Sequence, residues 1–571
     1  MICLEVIWMT SITVLLDLAG EVKMSYTTTK VIDSFVGGYS KGHSSKPIQG
    51  SEISVNMIRE QNGENVYQQS LNGKKFVKKF TDNGVCRGSY VPSIGSDGTN
   101  RRARMFVVIG RTLFSYSYNG TINKILDNVF VENSTISFAE TGGERPFLLI
   151  ADGTSLYAVN LLDNSTNKVI MPENITGEII KPSSVAVLNG SIAVSDMNTG
   201  YVYYSDPYIL SNDTRKMLKK DEDGKVIYED DGITPVYEDA SSWETTFLDY
   251  NGTLQYKNAE SSSDSVVYLK VIGSVMTVFG NNTIEFWSRG AQQYQTWNRV
   301  AYTNMNELGL AATSTVASTN EKIYFIGKGT RNGIGVYRIS GTNVDKISPT
   351  WLDRKLSENT ITAGWSPTRE LGFCYTDSDH EFYCFNVGDE MFGYDAWCGD
   401  WHKRCSTDNR LLIGEELYHK SKYVYPSYFE GKLFFFSNEN GCMFLDDRDY
   451  FYEDWSDTDK EKAFIRSRET PVIIDSYKEF IAMELTIEMN VGEVPQNLNP
   501  KIGLQVSKDG GMTFGNYQYE YLPLTGEYER RVRFDGLGLC RLMTIRVFTN
   551  EPIPFILKNA SLRICPTGQR M

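Results

Sequence analysis

The sequence predicts a mainly β protein: a β-propeller of six or seven blades followed by a C-terminal antiparallel β-sandwich. Three observations carry this. The 571 residues include 34 Tyr and 28 Phe, side chains that suit a pleated, half-buried surface. Alternating apolar runs come in pairs around short loops of Gly, Asn and Asp, the pattern of β-hairpins. Most of the pairs recur at steps of about 40 to 55 residues, the period of propeller blades, and the one step of about 90 holds an insertion.

The clearest hairpin is 266–290, VVYLKVIGSVMTVFGNNTIEFWSRG, in which Gly280-Asn281-Asn282 interrupts two period-2 runs. Gly and Asn tolerate the positive φ that a tight hairpin loop demands, so they are expected to adopt it here. Similar pairs lie at 104–122 (RMFVVIGRTLFSYSYNGTI), 145–162, 184–206, 322–340, 369–397 (with GFCYTDSDHEFYCFNV at its heart) and 423–446. Their first strands centre near 107, 148, 187, 277, 324, 373 and 429. A blade cannot bury both faces alone, so the blades must pack around one axis. A sandwich would show turn signals every 8–12 residues throughout.

The other segments follow from this frame. Residues 1–23 are apolar but interrupted by Glu5 and Asp17, and Met24 opens a second plausible start. The stretch lacks the basic region of a signal peptide and is too short and charged for a membrane span. It reads as a mis-assigned N-terminal extension; a native peptide containing Trp8 would contradict this. Residues 24–100, rich in Gly, Ser and Asn, read as an N-terminal arm with short apolar runs at 53–58 and 74–80. The propeller is expected over 101–465, with an acidic insertion at 208–265 whose repeats 226–230 and 236–239 form a hairpin turning at Asp231-Gly232. That insertion is a solvated face or a contact surface for a basic partner or a neighbouring copy. Residues 470–571 form the sandwich, with period-2 alternation at 481–491.

Composition narrows function. A net charge of −14 and pI near 5.1 exclude binding of nucleic acid by a basic face. Nine irregularly spaced cysteines point to reduced thiols and synthesis in a cytoplasm. Cys374 and Cys384 are expected to face each other across a hairpin as packed thiols. Cys398, His402 and Cys405 form C-x3-H-x2-C, but a structural zinc site needs a fourth ligand and none is evident. Ser507-Lys508-Asp509-Gly510-Gly511-Met512-Thr513-Phe514 resembles the Asp-box of sialidases, a structural turn that occurs once here and outside the propeller. The four histidines, His43, His380, His402 and His419, lie in no nucleophile context, and no phosphate-binding loop is present. Acidic pairs such as Asp446-Asp447 and Glu453-Asp454 are adjacent in sequence without implying convergent catalytic geometry. No catalytic, cofactor or metal site, and no small-molecule substrate, is expected. The alternatives are a sialidase-like propeller glycosidase, which would need Asp-boxes within the blades, and a surface adhesin, which would need export.

A set of strings in order along the chain resembles the packaged-DNA stabilisation proteins of short-tailed phages, the tail-hub or nozzle family. They are Val55-Asn56-Met57; Asn83-Gly84-Val85-Cys86-Arg87-Gly88; Ala259-Glu260-Ser261; Val278-Phe279-Gly280 with Thr283-Ile284-Glu285-Phe286; and Leu308-Gly309-Leu310-Ala311 with 322–326. Ser507, Asp509-Gly510, Phe514-Gly515, Arg530-Arg531-Val532, Arg541-Leu542 and Arg546-Val547 continue the series. The resemblance implies a non-enzymatic virion protein of the tail, made in the host bacterial cytoplasm. It implies a ring, hexameric in the family, below the portal and its adaptor ring, with a needle or plug and tail fibres or spikes as further partners. Double-stranded DNA would pass through its channel without sequence-specific binding. The first 23 residues and the insertion depart from the family pattern.

Overall fold

A computed structural model describes residues 9–16, 22–32, 54–62, 65–80, 84–93, 104–196, 199–259, 264–290, 297–300, 305–329, 333–363, 370–407, 418–474, 479–490, 494, 498–527 and 531–567. Their strands form seven propeller blades. The first is Cys86–Tyr90, Arg104–Ile109, Thr112–Ser117 and Ile122–Leu126; the second is Ser137–Glu140, Phe147–Ala151, Leu156–Asn160 and Thr166–Val169. The third is Pro182–Leu188, Ser191–Asp196, Tyr201–Tyr204 and Tyr256–Asn258, and the fourth is Val266–Ile272, Val275–Gly280, Thr283–Ser288 and Asn298–Arg299. The fifth is built on Leu308–Leu310, Lys322–Gly329, Gly333–Ser340 and Asn343–Lys346; the sixth is Gly372–Asp377, His380–Val387, Glu390–Asp395 and Asp400–Thr407. The seventh takes Tyr423–Phe429, Lys432–Ser437 and Cys442–Asp447 from one end of the propeller sequence and its outer strand, Gly73–Lys79, from the other.

Each blade buries its faces on its neighbours, and the chain of contacts closes. Phe106 and Ile150 pack between the first and second blades, Leu149 and Val185 between the second and third, and Ala186 and Leu269 between the third and fourth. Phe279 meets Phe325 at 5.1 Å and Tyr324 stacks on Tyr383 at 5.2 Å, joining the fourth, fifth and sixth. Tyr375 meets Phe435 at 5.4 Å, and Phe80 meets Phe114 at 5.2 Å, completing the circuit through the seventh to the first. The innermost strands leave backbone groups that no ladder pairs, and serines on neighbouring blades meet several of them. Ser183 Oγ donates to Val267 O at 3.2 Å, Leu269 N to Ser184 Oγ at 2.8 Å and Ser89 Oγ to Tyr425 O at 2.8 Å.

The second unit is a β-sandwich. One sheet runs Met9–Leu16, Val22–Ile32, Ile556–Pro566, Phe480–Asn490, Arg531–Cys540, with the hairpin Met57–Asn62 and Asn65–Ser70 joined to Ile556–Pro566. The other contains Arg466–Glu469, Leu542–Thr549, Lys501–Ser507 and Gln518–Tyr521. Between them lie Leu485, Ile487, Ile502, Ile545, Phe555 and Leu562, all fully buried.

Several features differ from the sequence expectation. The stretch 24–100 is not a separate arm: Val22–Ile32, Ser54–Val55, Met57–Asn62 and Asn65–Ser70 join the sandwich or its junction, and Gly73–Tyr90 supplies strands to the seventh and first blades. The pairings of Val22–Ile32, Ser54–Val55, Asn65–Ser70 and Gly73–Lys79 with the distant strands join residues hundreds of positions apart, and local periodicity carries no trace of the partner. Thus the sandwich is not made from 470–571 alone, and Met9–Leu16, in the stretch read as an extension, pairs with Val22–Ile32. The insertion ends before Tyr256–Asn258, which is the outer strand of the third blade. Its arm pairs Thr214–Leu218 with Tyr237–Ser241, and its tip turns at Asp231-Gly232 as expected, where Asp231 Oδ1 accepts from Ile233 N and Thr234 N, both at 2.8 Å. Cys374 lies opposite Tyr383 and Cys384 opposite Phe373, so the two thiols point to opposite faces of their sheet. A helix, Thr350–Ala363, buries Leu352 and Leu356 against the fifth and sixth blades.

Candidate functional site

The strings that single this chain out converge on junctions rather than on a catalytic cleft. The principal junction is the seam between propeller and sandwich. Ser54–Val55 pairs in parallel with the sixth blade at Lys403 and antiparallel with the sandwich at Arg468 and Ser467, so both units belong to one eleven-stranded sheet. Asn56 follows with φ of 53°, a left-handed conformation that Asn tolerates better than most residues. This turns its amide into the seam. Its Nδ2 donates to Cys405 O at 2.9 Å and Ile465 O at 2.8 Å, and its Oδ1 accepts from Cys405 N at 3.1 Å. Its backbone adds bonds from Asn56 N to Lys403 O and from Leu71 N to Asn56 O, each 2.9 Å.

An ionic clamp lies beside it. His380 Nδ1 is 2.6 Å from Asp395 Oδ2 and its Nε2 is 3.1 Å from Glu60 Oε1, with the imidazole only 4% exposed. Burial alone would favour the neutral ring, but the two carboxylates outweigh it and raise its pKa to about 10. The imidazolium therefore links the sixth blade to the hairpin of the sandwich. His402, two strands away, is pushed the other way by burial and by Arg404, whose Nε donates to His402 Nε2 at 3.0 Å.

The middle strings brace the fourth blade and its boundary with the fifth. Glu285, 1% exposed, accepts from Trp287 Nε1 at 2.7 Å and pairs with Arg299 at 2.9 Å. Asp264 caps the Gly280-Asn281-Asn282 loop, accepting from Asn282 N at 2.7 Å and Thr283 N at 2.9 Å. The positive φ expected there is not used by any of the three loop residues. Gly280 is required for space instead: a Cβ would lie 2.2 Å from Asp264 Oδ2, and one on Gly309 would lie 2.0 Å from Asn281 O. Arg87 braces the first blade, donating to Gly110 O at 2.9 Å and Ser134 O at 2.7 Å. Asn83, Glu260, Ser261 and Arg530 lie outside the described residues.

The other candidate groups also have structural partners. Cys398, His402 and Cys405 share one strand region, but Cys405 belongs to the Asn56 seam, and no metal-holding cluster occurs among the described residues. Asp509 accepts from Met512 N and Thr513 N, while Ser507 Oγ donates to it at 2.6 Å, the Asp-box turn. Burial, the largest single influence, would raise its carboxyl, but these bonds together outweigh it and hold the group down at about 2. Arg546 stacks on Phe514 at 3.7 Å and pairs with Glu469 at 2.6 Å. The acidic pairs fasten the strand that closes the ring: Lys74 Nζ lies 2.5 Å from Asp446, and Asp454 accepts from Phe76 N at 2.7 Å. Burial raises Glu453 to about 7, opposed by Ser406 and Lys74. Sequence reasoning missed the seam because its partners are 349 and 409 positions from Asn56. The run at 74–80 was the available signal for the closing strand.

These features define a class: a rigid propeller–sandwich in which the recurrent motifs brace the scaffold. Residues 52–403 match the family described as bacteriophage P22 Gp10, β-propeller, and the chain belongs to that family of phage DNA-stabilisation proteins. It is therefore a structural phage protein and a virion component. No curated protein matches the chain. Among solved structures, it is similar to BBS1N in complex with ARL6DN at 9% identity, over 66% of this chain and 98% of that one, with a TM-score of 0.34. The N-terminal domain of Nup159 gives 9% identity over 69% and 98%, with a TM-score of 0.33. A chain of the mitotic checkpoint complex gives 7% identity over 72% and 99%, with a TM-score of 0.30.

Proposed function

We propose that this protein is a tail-hub or nozzle subunit that assembles into a ring, a hexamer, below the portal and its adaptor. The ring extends the DNA channel and, with a needle or plug, retains the packaged genome until ejection; tail fibres or spikes attach around it. The observation that carries this reading is membership of the phage DNA-stabilisation family over residues 52–403. Two physical features support it. A propeller and sandwich sharing one sheet offer broad lateral faces held at a fixed angle, which heterologous cyclic contacts need if a ring is to close. A net charge of −14 repels phosphate, so DNA in transit would not adhere. The protein would act without catalysis, and synthesis would precede assembly in the host bacterial cytoplasm.

The test is the mass of the purified protein in solution, alone and mixed with portal and adaptor. A ring of 64.6 kDa chains, or assembly only on the portal–adaptor complex, is expected. A stable monomer indifferent to those components would overturn the reading. An electrostatic map of the ring with a basic bore would remove the repulsion argument.

A further inference from the structure

The innermost strands surround the propeller axis, and its two ends differ. Where the strands begin, Thr135 Oγ1 of the second blade and Thr313 Oγ1 at the fifth meet at 3.0 Å, although these blades are not neighbours in the ring. Ser134 beside them is held by Arg87 at 2.7 Å. That end is closed. Where the strands finish, the mouth widens into a cavity of about 330 Å³, lined in part by Tyr90, Phe138, Ala139, Glu140, Val187 and Lys270.

Two charges face this cavity, and they are in different situations. Glu140 is engaged, accepting from Tyr90 Oη at 3.2 Å, Ser93 N at 2.9 Å and Ser93 Oγ at 3.0 Å. Lys270, on the first strand of the fourth blade, is partly buried, and no carboxylate among the described residues pairs with its ammonium. Burial holds its pKa below the usual lysine range, opposed by the Cys374 thiol. A cation desolvated without a counter-charge is costly, and an anion entering the open mouth would remove that cost. One ammonium matches a single negative charge, and the Glu140 carboxylate on the same wall disfavours a dianion. On the remaining wall Phe138, Ala139 and Val187, each partly exposed, supply apolar surface beside the polar atoms of Tyr90 and Ser93.

We propose that the open mouth of the propeller axis is a binding site for a carboxylate with an apolar body. Lys270 pairs with the carboxylate, and the wall of Phe138, Ala139 and Val187 covers the apolar part. The carboxylate belongs either to a free small acid or to a polypeptide, as a chain terminus or acidic side chain. The inference does not depend on ring assembly.

The test uses the full-length protein with its lysines dimethylated by ¹³C-formaldehyde and borohydride, a change that keeps the ammonium charge. The Lys270 resonance is assigned by its absence in Lys270→Met. Hexanoate is expected to shift that resonance and raise its titration midpoint, while hexanamide at the same concentration leaves both unchanged. Unmodified wild-type protein is expected to gain thermal stability from hexanoate, and Lys270→Met to lose at least about tenfold in hexanoate affinity, the scale of one charge-assisted hydrogen bond. Equal responses to hexanoate and hexanamide, or no response, would overturn the proposal without relying on the variant. A peptide ending in a free valine carboxylate separates the sources. Saturation at a concentration at least about tenfold below that of hexanoate identifies a polypeptide ligand, and no advantage over hexanoate identifies a free acid.

Discussion

The seam at Asn56 and the arm at 214–241 hold their polar groups in opposite ways. At the seam, one amide bonds to groups 349 and 409 residues away, and the surrounding Arg466 and Arg468 side chains are fully buried. The arm is anchored at its base, where Arg215 pairs with Asp206 at 2.8 Å and Met217 and Phe247 are buried. Beyond that it depends on bonds between near neighbours, such as those Asp221 and Asp231 accept from residues two to four positions on. Its tip leaves Ile233 80% and Tyr228 51% exposed. The seam therefore fixes the angle between the two units, whereas the arm's tip can change without disturbing them. A sequence string shared across a family can mark a joint as readily as a binding site.

This contrast can be broken or sharpened by substitution, starting with the largest effect. Asn56→Ala deprives three buried backbone groups of their partners and strains a left-handed residue, so about 4 kcal/mol of stability should be lost in urea unfolding. If the loss is under about 1 kcal/mol, the seam is not the joint described here.

His380→Gln comes next, at about 3 kcal/mol, because it leaves Asp395 buried without its cation. Its signature is a pH profile. The folded pKa of His380, about 10, lies above the ordinary 6.5, so the imidazolium contributes in full below pH 6.5. That contribution is lost as pH rises through about 10. Thermal melts between pH 6 and 10 should fall less steeply for the variant than for the parent.

Gly309→Ala should cost about 2 kcal/mol by driving its Cβ into the Asn281 carbonyl; calorimetry would detect it. Glu453→Gln has a smaller effect that appears only in one pH range. The raised pKa of Glu453 means that its protonated form suits the fold, so stability falls as pH passes through about 7. The glutamine variant should lose that step. Smallest of all, Ile233→Ser with Tyr228→Ser at the arm's tip should change stability by less than about 0.5 kcal/mol, so any loss of assembly by that variant would report a contact made by the tip.

Much of the propeller was legible because a blade is a local object. The run 275–288 was identifiable from alternation alone, and in the structure Phe279 lies opposite Ile284 and Met276 opposite Trp287. All seven run centres fall within blade strands. Some blades were anchored on their second strand, because inner strands such as Cys86–Tyr90 and Leu308–Leu310 are short. The closing strand was visible as an apolar run but not as a partner of Cys442–Asp447, since nothing in 73–79 encodes a ladder formed more than 360 residues away.

By itself, then, the sequence determined the β-rich character, the hairpin period, the turn at Asp231-Gly232 and the family, because each rests on residues close in the chain or on strings in fixed order. The tertiary structure decided which strand closes the seventh blade, how one sheet joins two units through Ser54–Val55, and which charges meet. Glu60, His380 and Asp395 illustrate the reason: backbone pairing brings them together, and the two carboxylates that raise the imidazole pKa against the effect of burial flank it only once both units are folded against each other.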